Sequence, residues 1–131
     1  MVEALLDTVV LVDLLRNYLP AVSWIKTQNQ LMGVTSVTWM EVMFGAKNKT
    51  KQAMAIKMLK QFEMVYLTQE DQVWAMQQLQ KYRLSHNLDL GDCLIAAPSH
   101  RLQLPLYTHN LKHFTPLLGG LAQAPYLKES T

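Results

Sequence analysis

Short apolar runs alternate along the chain with longer segments in which apolar residues recur at helical spacing. The first run covers residues 4–6, and the apolar side chains within 10–15 then repeat as on one face of a helix. A second run over 31–34 precedes Thr35-Ser36, whose hydroxyls suit the N-cap of a helix that reaches about Gly45. The pattern therefore predicts two successive strand–helix units.

The second half of the chain continues this alternation. A helical segment leads into a candidate strand at 65–67, and Thr68 with Asp71 predicts the capped start of another helix. Residues 104–107, which contain a proline, predict a strand near the sheet edge, and 124–127 is a candidate edge strand. The sequence thus predicts an α/β fold whose central, mainly parallel sheet of four or five strands is covered on both faces.

The composition is typical of one soluble domain. Half of the 131 residues are apolar, so we expect a single domain over 1–127 and a tail over 128–131 that frays. The net charge of +2 permits an RNA partner without arguing for one. The lone Cys93 excludes an internal disulfide and fits a reducing cytoplasm. Apolar stretches stay well short of the roughly 18 residues that a membrane span needs, so we expect a cytoplasmic protein without a membrane segment.

Two polar residues directly follow predicted strands. Asp7 ends the first apolar run, and Asn110 follows the strand that ends near Thr108. Ligands of open parallel sheets bind beyond the carboxyl ends of the strands. We therefore expect both side chains at the same edge of the sheet.

Glu41 is an isolated acid within an apolar helix. It is the only charged residue between positions 26 and 47, and it lies among Val37, Met40 and Phe44 at helical spacing. A carboxylate on such a stripe needs a partner or a function. The structural alternative is a capping box with Thr38, which lies three residues earlier.

Asp92 raises the same question at the start of a later apolar helix. Ile95, Ala96 and Ser99 share its face, so the acid is expected to point toward the core side. An aspartate in a first helical turn also often serves as a cap. For this residue alone, the sequence leaves cap and ligand equally open.

Three carboxylates in one pocket would repel one another and raise their own pKa values unless a cation compensated. The candidates Asp7, Glu41 and Asp92 are oxygen ligands without clustered cysteine or histidine, which favours Mg²⁺ or Mn²⁺ over zinc. Such an ion can activate a water for attack on a phosphodiester. Hydrolysis of RNA or DNA is therefore the leading chemistry.

Four segments resemble the motifs of the PIN domain family. They are 5–15 (LLDTVVLVDLL), 36–46 (SVTWMEVMFGA), 91–97 (GDCLIAA) and 106–114 (LYTHNLKHF). Each is weak alone, whereas four in register over nearly the whole chain are specific. The likeness is to VapC toxins in particular, the ribonuclease partners in bacterial toxin–antitoxin pairs. It implies a PIN-like three-layer α/β/α sandwich.

The resemblance also implies which residues act. It gives a catalytic set of three acids and one amide: Asp7, Glu41, Asp92 and Asn110. The three acids would bind Mg²⁺ or Mn²⁺, and Thr8 and Thr108 would orient them through hydrogen bonds. The family resemblance further implies an RNA substrate such as transfer RNA, a homodimer, and an antitoxin chain that fills the site.

Two departures from the family pattern favour an alternative. Val9 stands where many members have a polar residue, and Asn110 supplies no charge. Both changes are expected to weaken metal binding. The alternative is a catalytically degenerate PIN-like module that binds RNA or a protein partner without cleavage; nuclease action on DNA is a third possibility.

Other polar residues are interpreted as structural. Asp89 is explained by turn chemistry, Asp13 is expected to be solvated, and Pro98 is expected to bend the helix that follows Asp92. His109 and His113 have the spacing of a helical metal pair but lack the glutamate pattern of zinc hydrolases.

A basic run follows the Glu41 helix. Lys47, Lys49 and Lys51 could contact phosphates, but a solvated helix start is the favoured interpretation.

Overall fold

In the computed structural model, which describes residues 1–128, two α-helices follow each of the first three strands. Within that range the strands are β1 (Ala4–Leu6), β2 (Met32–Thr35), β3 (Glu63–Val65), β4 (Leu106–Tyr107) and β5 (Ala122–Gln123). The α-helices are α1 (Thr8–Leu15), α2 (Leu19–Thr27), α3 (Ser36–Gly45), α4 (Lys49–Leu59), α5 (Gln69–His86), α6 (Leu90–Leu102) and α7 (Leu111–Leu118). A 3₁₀ turn, Gly119–Leu121, leads into β5.

The five strands form one parallel sheet in the order β3-β2-β1-β4-β5. The chain moves outward from β1 to β3 and then returns to the other side of β1 with β4, so the strand order reverses between β1 and β4. Leu5 pairs with Leu106 and Leu6 with Tyr107 across this junction. Ligand sites of open parallel sheets lie at such a reversal. The predicted parallel sheet of four or five strands is confirmed.

The core lies on both faces of the sheet. Leu5 packs with residues of α5, α6 and α7, among them Ile95 and Phe114. Its neighbours Ala4 and Leu6 pack on the opposite side with residues of α1, α3 and α4, including Val10. Successive strand residues point to opposite faces, which explains this division. The predicted three-layer arrangement is confirmed.

The capping predictions hold, but two strands lie elsewhere than predicted. Thr35 caps α3, and Thr68 forms a capping box at the start of α5. The third strand is β3, two residues before the predicted 65–67, and the edge strand is β5 instead of 124–127. Both lie at sheet edges and are only partly buried, so neither has a continuous apolar pattern.

The first helical segment is broken, which the sequence analysis did not predict. Asn17 adopts a left-handed backbone conformation with φ of 56°, and Pro20 stands in the first turn of the next helix, α2. Asparagine tolerates this conformation, and proline is well suited to a first helical turn. The chain can therefore turn sharply between α1 and α2.

Asp13 is buried, so the prediction that it is solvated was wrong. It accepts hydrogen bonds from the Tyr126 hydroxyl at 2.6 Å and from Lys128 Nζ at 3.0 Å. The segment that follows β5 thus packs back on α1. The rest of the predicted tail, 129–131, lies outside the described residues. None of the helices within 1–128 combines the length and apolar character that crossing a membrane requires.

Candidate functional site

Asp7 stands where β1 passes into α1 and is the N-cap of that helix. Its Oδ1 accepts from the backbone N–H of Thr8 at 2.8 Å, and its Oδ2 accepts from Thr108 Oγ1 at 2.8 Å. Thr108 directly follows β4, so this bond joins the ends of two neighbouring strands. Only 5% of the Asp7 surface is exposed. The ends of β1 and β4 therefore meet at one edge of the sheet through Asp7 and Thr108.

The surroundings of Asp7 make ionisation costly. The pKa of Asp7 is raised to about 6, mainly by burial and to a smaller extent by the nearby charges of Asp92 and Glu41. The hydrogen bonds from Thr108 and Thr8 oppose this shift by stabilising the carboxylate. A bound cation would offset the same cost, so the site suits a positively charged ligand.

Glu41 lies on α3 but does not close a capping box with Thr38, because Thr35 is the N-cap. Its Oε1 instead accepts from Thr8 Oγ1 at 2.5 Å. The neighbouring side chains of Met40 and Phe44 are 55% and 93% exposed. The predicted apolar stripe is therefore a surface feature, and Glu41 reaches the Asp7 network from an exposed face.

Gly91, in the first turn of α6, allows Glu41 to approach that helix. A Cβ at Gly91 would lie only 2.6 Å from Glu41 Oε2. A side chain at this position would therefore collide with the carboxylate. Gly91 belongs to one of the family motifs, but the sequence alone does not reveal this contact.

Asp92 is not the cap of α6. Asp89 is the N-cap, and its Oδ1 accepts from the backbone N–H of Asp92 at 2.9 Å, which confirms the turn interpretation of Asp89. The side chain of Asp92 is left for another partner, and its Oδ2 lies 3.0 Å from His113 Nδ1. Burial and the charge of Asp89 raise the pKa of Asp92, whereas His113 lowers it. α6 continues through Pro98 to Leu102.

Asn110 and His113 complete the network from the start of α7. The backbone N–H of Asn110 donates to Thr108 Oγ1 at 2.9 Å, and its side-chain amide lies 2.9 Å from His113 Nδ1. His109 is directed elsewhere, with its ring 4.5 Å from that of Tyr126 between centroids. The two histidines therefore contact different partners. His113 was missed as a site residue, although its position three after Asn110 places both on one helical face.

A continuous chain of contacts thus links the predicted residues. It runs in the order Glu41, Thr8, Asp7, Thr108, Asn110, His113 and Asp92. Within 1–128, no three histidine, cysteine or acidic side chains stand in a ready-made metal-binding arrangement. Among the same residues, Asp92 Oδ1 and Glu41 Oε2 have no hydrogen-bond partner. These free carboxylate oxygens lie beside Asp7, whose ionisation is costly because it is buried. Together they are a donor set that fits a hard divalent cation.

Two surfaces flank this network. A pocket of about 400 Å³ beside Glu41 is lined in part by the cationic residues Arg16, Lys47 and Lys51. On the other side, an apolar groove of about 510 Å³ runs between α3, α5 and α6. The exposed side chains of Met40, Met76 and Leu90 contribute to this groove. The site therefore lies between a pocket that contains three cationic side chains and an apolar groove.

Comparison with known proteins agrees with this geometry. Residues 4–114 match the family model of the PIN domain. No curated protein matches. A chain of a toxin–antitoxin complex from Klebsiella pneumoniae is 27% identical, with a TM-score of 0.79 and coverage of 95% of this chain and 98% of that one.

Two more distant structures share the fold. One is VapBC2 from Rickettsia felis, which is bound to a DNA fragment from the VapBC2 promoter. It is 18% identical with a TM-score of 0.73, over 88% of this chain and 92% of that one. VapBC-1 from nontypeable Haemophilus influenzae is 21% identical with a TM-score of 0.69, over 89% and 92%. The predicted resemblance to the PIN domain family is confirmed, and since the family model covers most of its length, the chain belongs to that family.

Proposed function

We propose that the protein is a metal-dependent endoribonuclease and the toxin of a type II toxin–antitoxin pair. The observation that carries this proposal is the chain of contacts that links Asp7, Glu41 and Asp92, which come from the N-cap of α1, from α3 and from α6. Asp7 has a pKa raised to about 6, and a divalent cation is the natural partner of such an acid cluster. Membership in the PIN family and the similarity to a toxin–antitoxin complex from Klebsiella pneumoniae support the same function.

Asp7, Glu41 and Asp92 would hold the cation. Bound Mg²⁺ or Mn²⁺ supplies acidification of a water and stabilisation of the charge on the leaving oxygen. The residues of the chain supply orientation: Thr8 and Thr108 hold both oxygens of Asp7, and Thr8 also holds one oxygen of Glu41. Glu41 Oε2 would then be available to complete the cation site directly or through a water, and to help position the attacking water. Such fixed geometry lowers the barrier to reaction.

The three cationic side chains of the pocket beside Glu41 support a nucleic-acid substrate. Arg16, Lys47 and Lys51 lie beside Glu41, where they would contact phosphates that flank the scissile bond. α4 begins at Lys49, where the sequence predicted the start of a helix. Lys51 therefore lies in the first turn of α4. The family resemblance favours RNA over DNA as the proposed substrate, and transfer RNA in particular.

An antitoxin chain and a second copy of the protein are the proposed protein partners. Exposed apolar patches mark interaction surfaces, and here such side chains lie next to the acids. Met40 and Phe44 flank Glu41, and Met76 and Leu90 lie along the neighbouring groove. A partner on this surface would cover the site. A cytoplasmic location is consistent with action on cellular RNA.

A degenerate binding module is the second candidate, and specific observations favour it. Among residues 1–128, no three side chains are already arranged to bind a metal ion. Asn110 is uncharged, and the exposed Val9 offers no polar contact beside Asp7. The two candidates differ in their response to metal. A nuclease requires Mg²⁺ or Mn²⁺ and stops with a chelator, whereas RNA binding by an inert module survives chelation.

The direct test compares the wild-type chain with Asp7→Asn on labelled RNA and DNA of the same sequence. We expect Mn²⁺- or Mg²⁺-dependent cleavage of RNA by the wild type, suppression by EDTA, and a loss of at least about 100-fold in Asp7→Asn. Glu70→Gln is the matched control because this acid lies in the first turn of α5, exposed and outside the contact chain. Equal cleavage by wild type and Asp7→Asn would exclude the proposed site, and EDTA-resistant RNA binding without cleavage would favour the degenerate module.

A further inference from the structure

His113 connects two arms of the acid network that are far apart in sequence. Its Nδ1 lies 3.0 Å from Oδ2 of Asp92 on α6 and 2.9 Å from the side-chain amide of Asn110 at the start of α7. The side chains of His113 and Asp92 are only 25% and 13% exposed. The contact is thus partly shielded from water, where a hydrogen bond to a carboxylate counts for more than at a free surface.

The chemistry of the contact fixes the direction of donation. An ionised carboxylate only accepts hydrogen bonds, so Nδ1 must carry the proton and donate to Asp92. The Asn110 atom nearest Nδ1 is the amide nitrogen, which cannot accept this hydrogen bond. Turning the amide end for end would place its oxygen there, since the two ends of an amide have the same shape. In that orientation His113 donates to two acceptors, and its bond to Asp92 holds the ring in either orientation of the amide.

The consequence for Asp92 is that its two oxygens are no longer equivalent. Oδ2 is held by His113, whereas Oδ1 has no partner among residues 1–128. A carboxylate with one fixed oxygen presents the other in a defined direction. Groups that hold metal ligands in this way strengthen metal binding by about 10- to 100-fold.

We propose that His113 is a positioning residue for the cation site, which holds Asp92 so that Oδ1 is available to a divalent cation. The inference rests on the proposed function for the identity of the cation. It assigns to α7 a second contribution beside Asn110. Since Asn110 adds no charge to the site, cation binding depends more strongly on the orientation of Asp92.

Three substitutions at this position separate the donor from the bulk of the ring. In His113→Asn the amide nitrogen can take the place of Nδ1, whereas in His113→Gln it falls near the place of Nε2; His113→Ala removes both. We measure Mn²⁺ affinity of the full chain by titration calorimetry and RNA cleavage across Mn²⁺ concentrations. We expect affinity to fall about 10- to 100-fold in the alanine and glutamine variants and less than about 3-fold in the asparagine variant.

The kinetic readout should show the same division. Saturating Mn²⁺ is expected to restore most of kcat in the alanine variant, because the defect lies in cation binding. His100→Ala is the control: this histidine lies on α6, like Asp92, but is exposed and stacks on Trp74. Its Mn²⁺ affinity should equal that of the wild type.

The outcomes distinguish the inference from the proposed function. Wild-type affinity in His113→Ala, or an equal loss in all three variants, would overturn the positioning role. A wild-type chain that binds no Mn²⁺ would overturn it together with the proposed metal dependence. If Mn²⁺ binding follows the donor pattern but RNA remains intact, the positioning role stands and the nuclease proposal fails.

Discussion

Replacement of Gly91 by alanine should impair RNA cleavage without impairing the fold. An added Cβ would stand 2.6 Å from Glu41 Oε2, and real Cβ contacts essentially never fall below 3.0 Å and become ordinary at 3.4 Å. The carboxylate must therefore retreat by roughly 0.4 to 0.8 Å. A misplacement of about 1 Å can cost about 100-fold in rate. We expect a fall in kcat of about 10- to 100-fold.

The expected effect on stability has the opposite sign. Gly91 lies in the first turn of α6, and its φ is not in the left-handed region, so alanine fits the backbone. Alanine favours a helix over glycine by about 0.5–1 kcal/mol. An unchanged or slightly higher Tm together with lower activity would therefore separate displacement of Glu41 from unfolding.

A double-mutant cycle with Glu41→Asp tests the cause. Aspartate is one methylene shorter, so its carboxylate is withdrawn from the added methyl group, and the two substitutions should not be additive. Gly120→Ala is the matched control because its added Cβ meets nothing within 4 Å. The explanation fails if Gly91→Ala cleaves RNA at the wild-type rate, or if it causes the same loss in the Glu41→Asp background.

Three further substitutions test other parts of the structure. Arg101→Ala should destabilise the fold by about 2–4 kcal/mol in urea unfolding, because it leaves the buried carboxylate of Asp71 without its ion-pair partner; a smaller loss than about 1 kcal/mol would contradict this. Tyr126→Phe should cost about 1–2 kcal/mol by removing the donor to buried Asp13, and an unchanged urea midpoint would exclude that role. The metal-free folded state holds the Asp7 proton more tightly than the unfolded chain, with pKa values of about 6 and 3.8, so stability should rise as pH falls through this interval. Asp7→Asn should remove that dependence and stabilise the metal-free protein at pH 7.5 by up to about 3 kcal/mol, and identical pH profiles of Tm would refute it.

The central strands could be predicted from the sequence because they are buried on both faces. β1 and β2 are fully buried and therefore appear as continuous apolar runs. The edge strands β3 and β5 contain exposed residues, and their pairing depends on neighbours distant in sequence. Asp13 was misjudged for a similar reason, because its partner Tyr126 lies 113 residues away.

The contacts of the site could be predicted only in part. The rule that parallel strands end at one edge of the sheet predicts that Asp7 and Asn110 lie close together, and Thr108 links the two. Glu41 does join this network, but the premise that it lies on a core-facing stripe was wrong, since Phe44 is almost fully exposed. The contact of His113 with Asp92 depends on how α7 packs against α6, which residue spacing within one helix does not determine.

The direction of the hydrogen bonds explains how a buried acid is tolerated at the centre of the site. Thr108 Oγ1 accepts from the backbone N–H of Asn110, so its own proton is free to be donated to Asp7. Thr8 donates twice, from its backbone to Asp7 and from its hydroxyl to Glu41. All these donors point toward carboxylates and stabilise their ionised forms. The pKa of Asp7 nevertheless stays near 6, which means that neutral donors do not compensate fully for burial and for the neighbouring acids. The remaining deficit is one of charge, and a cation is the partner that can supply it.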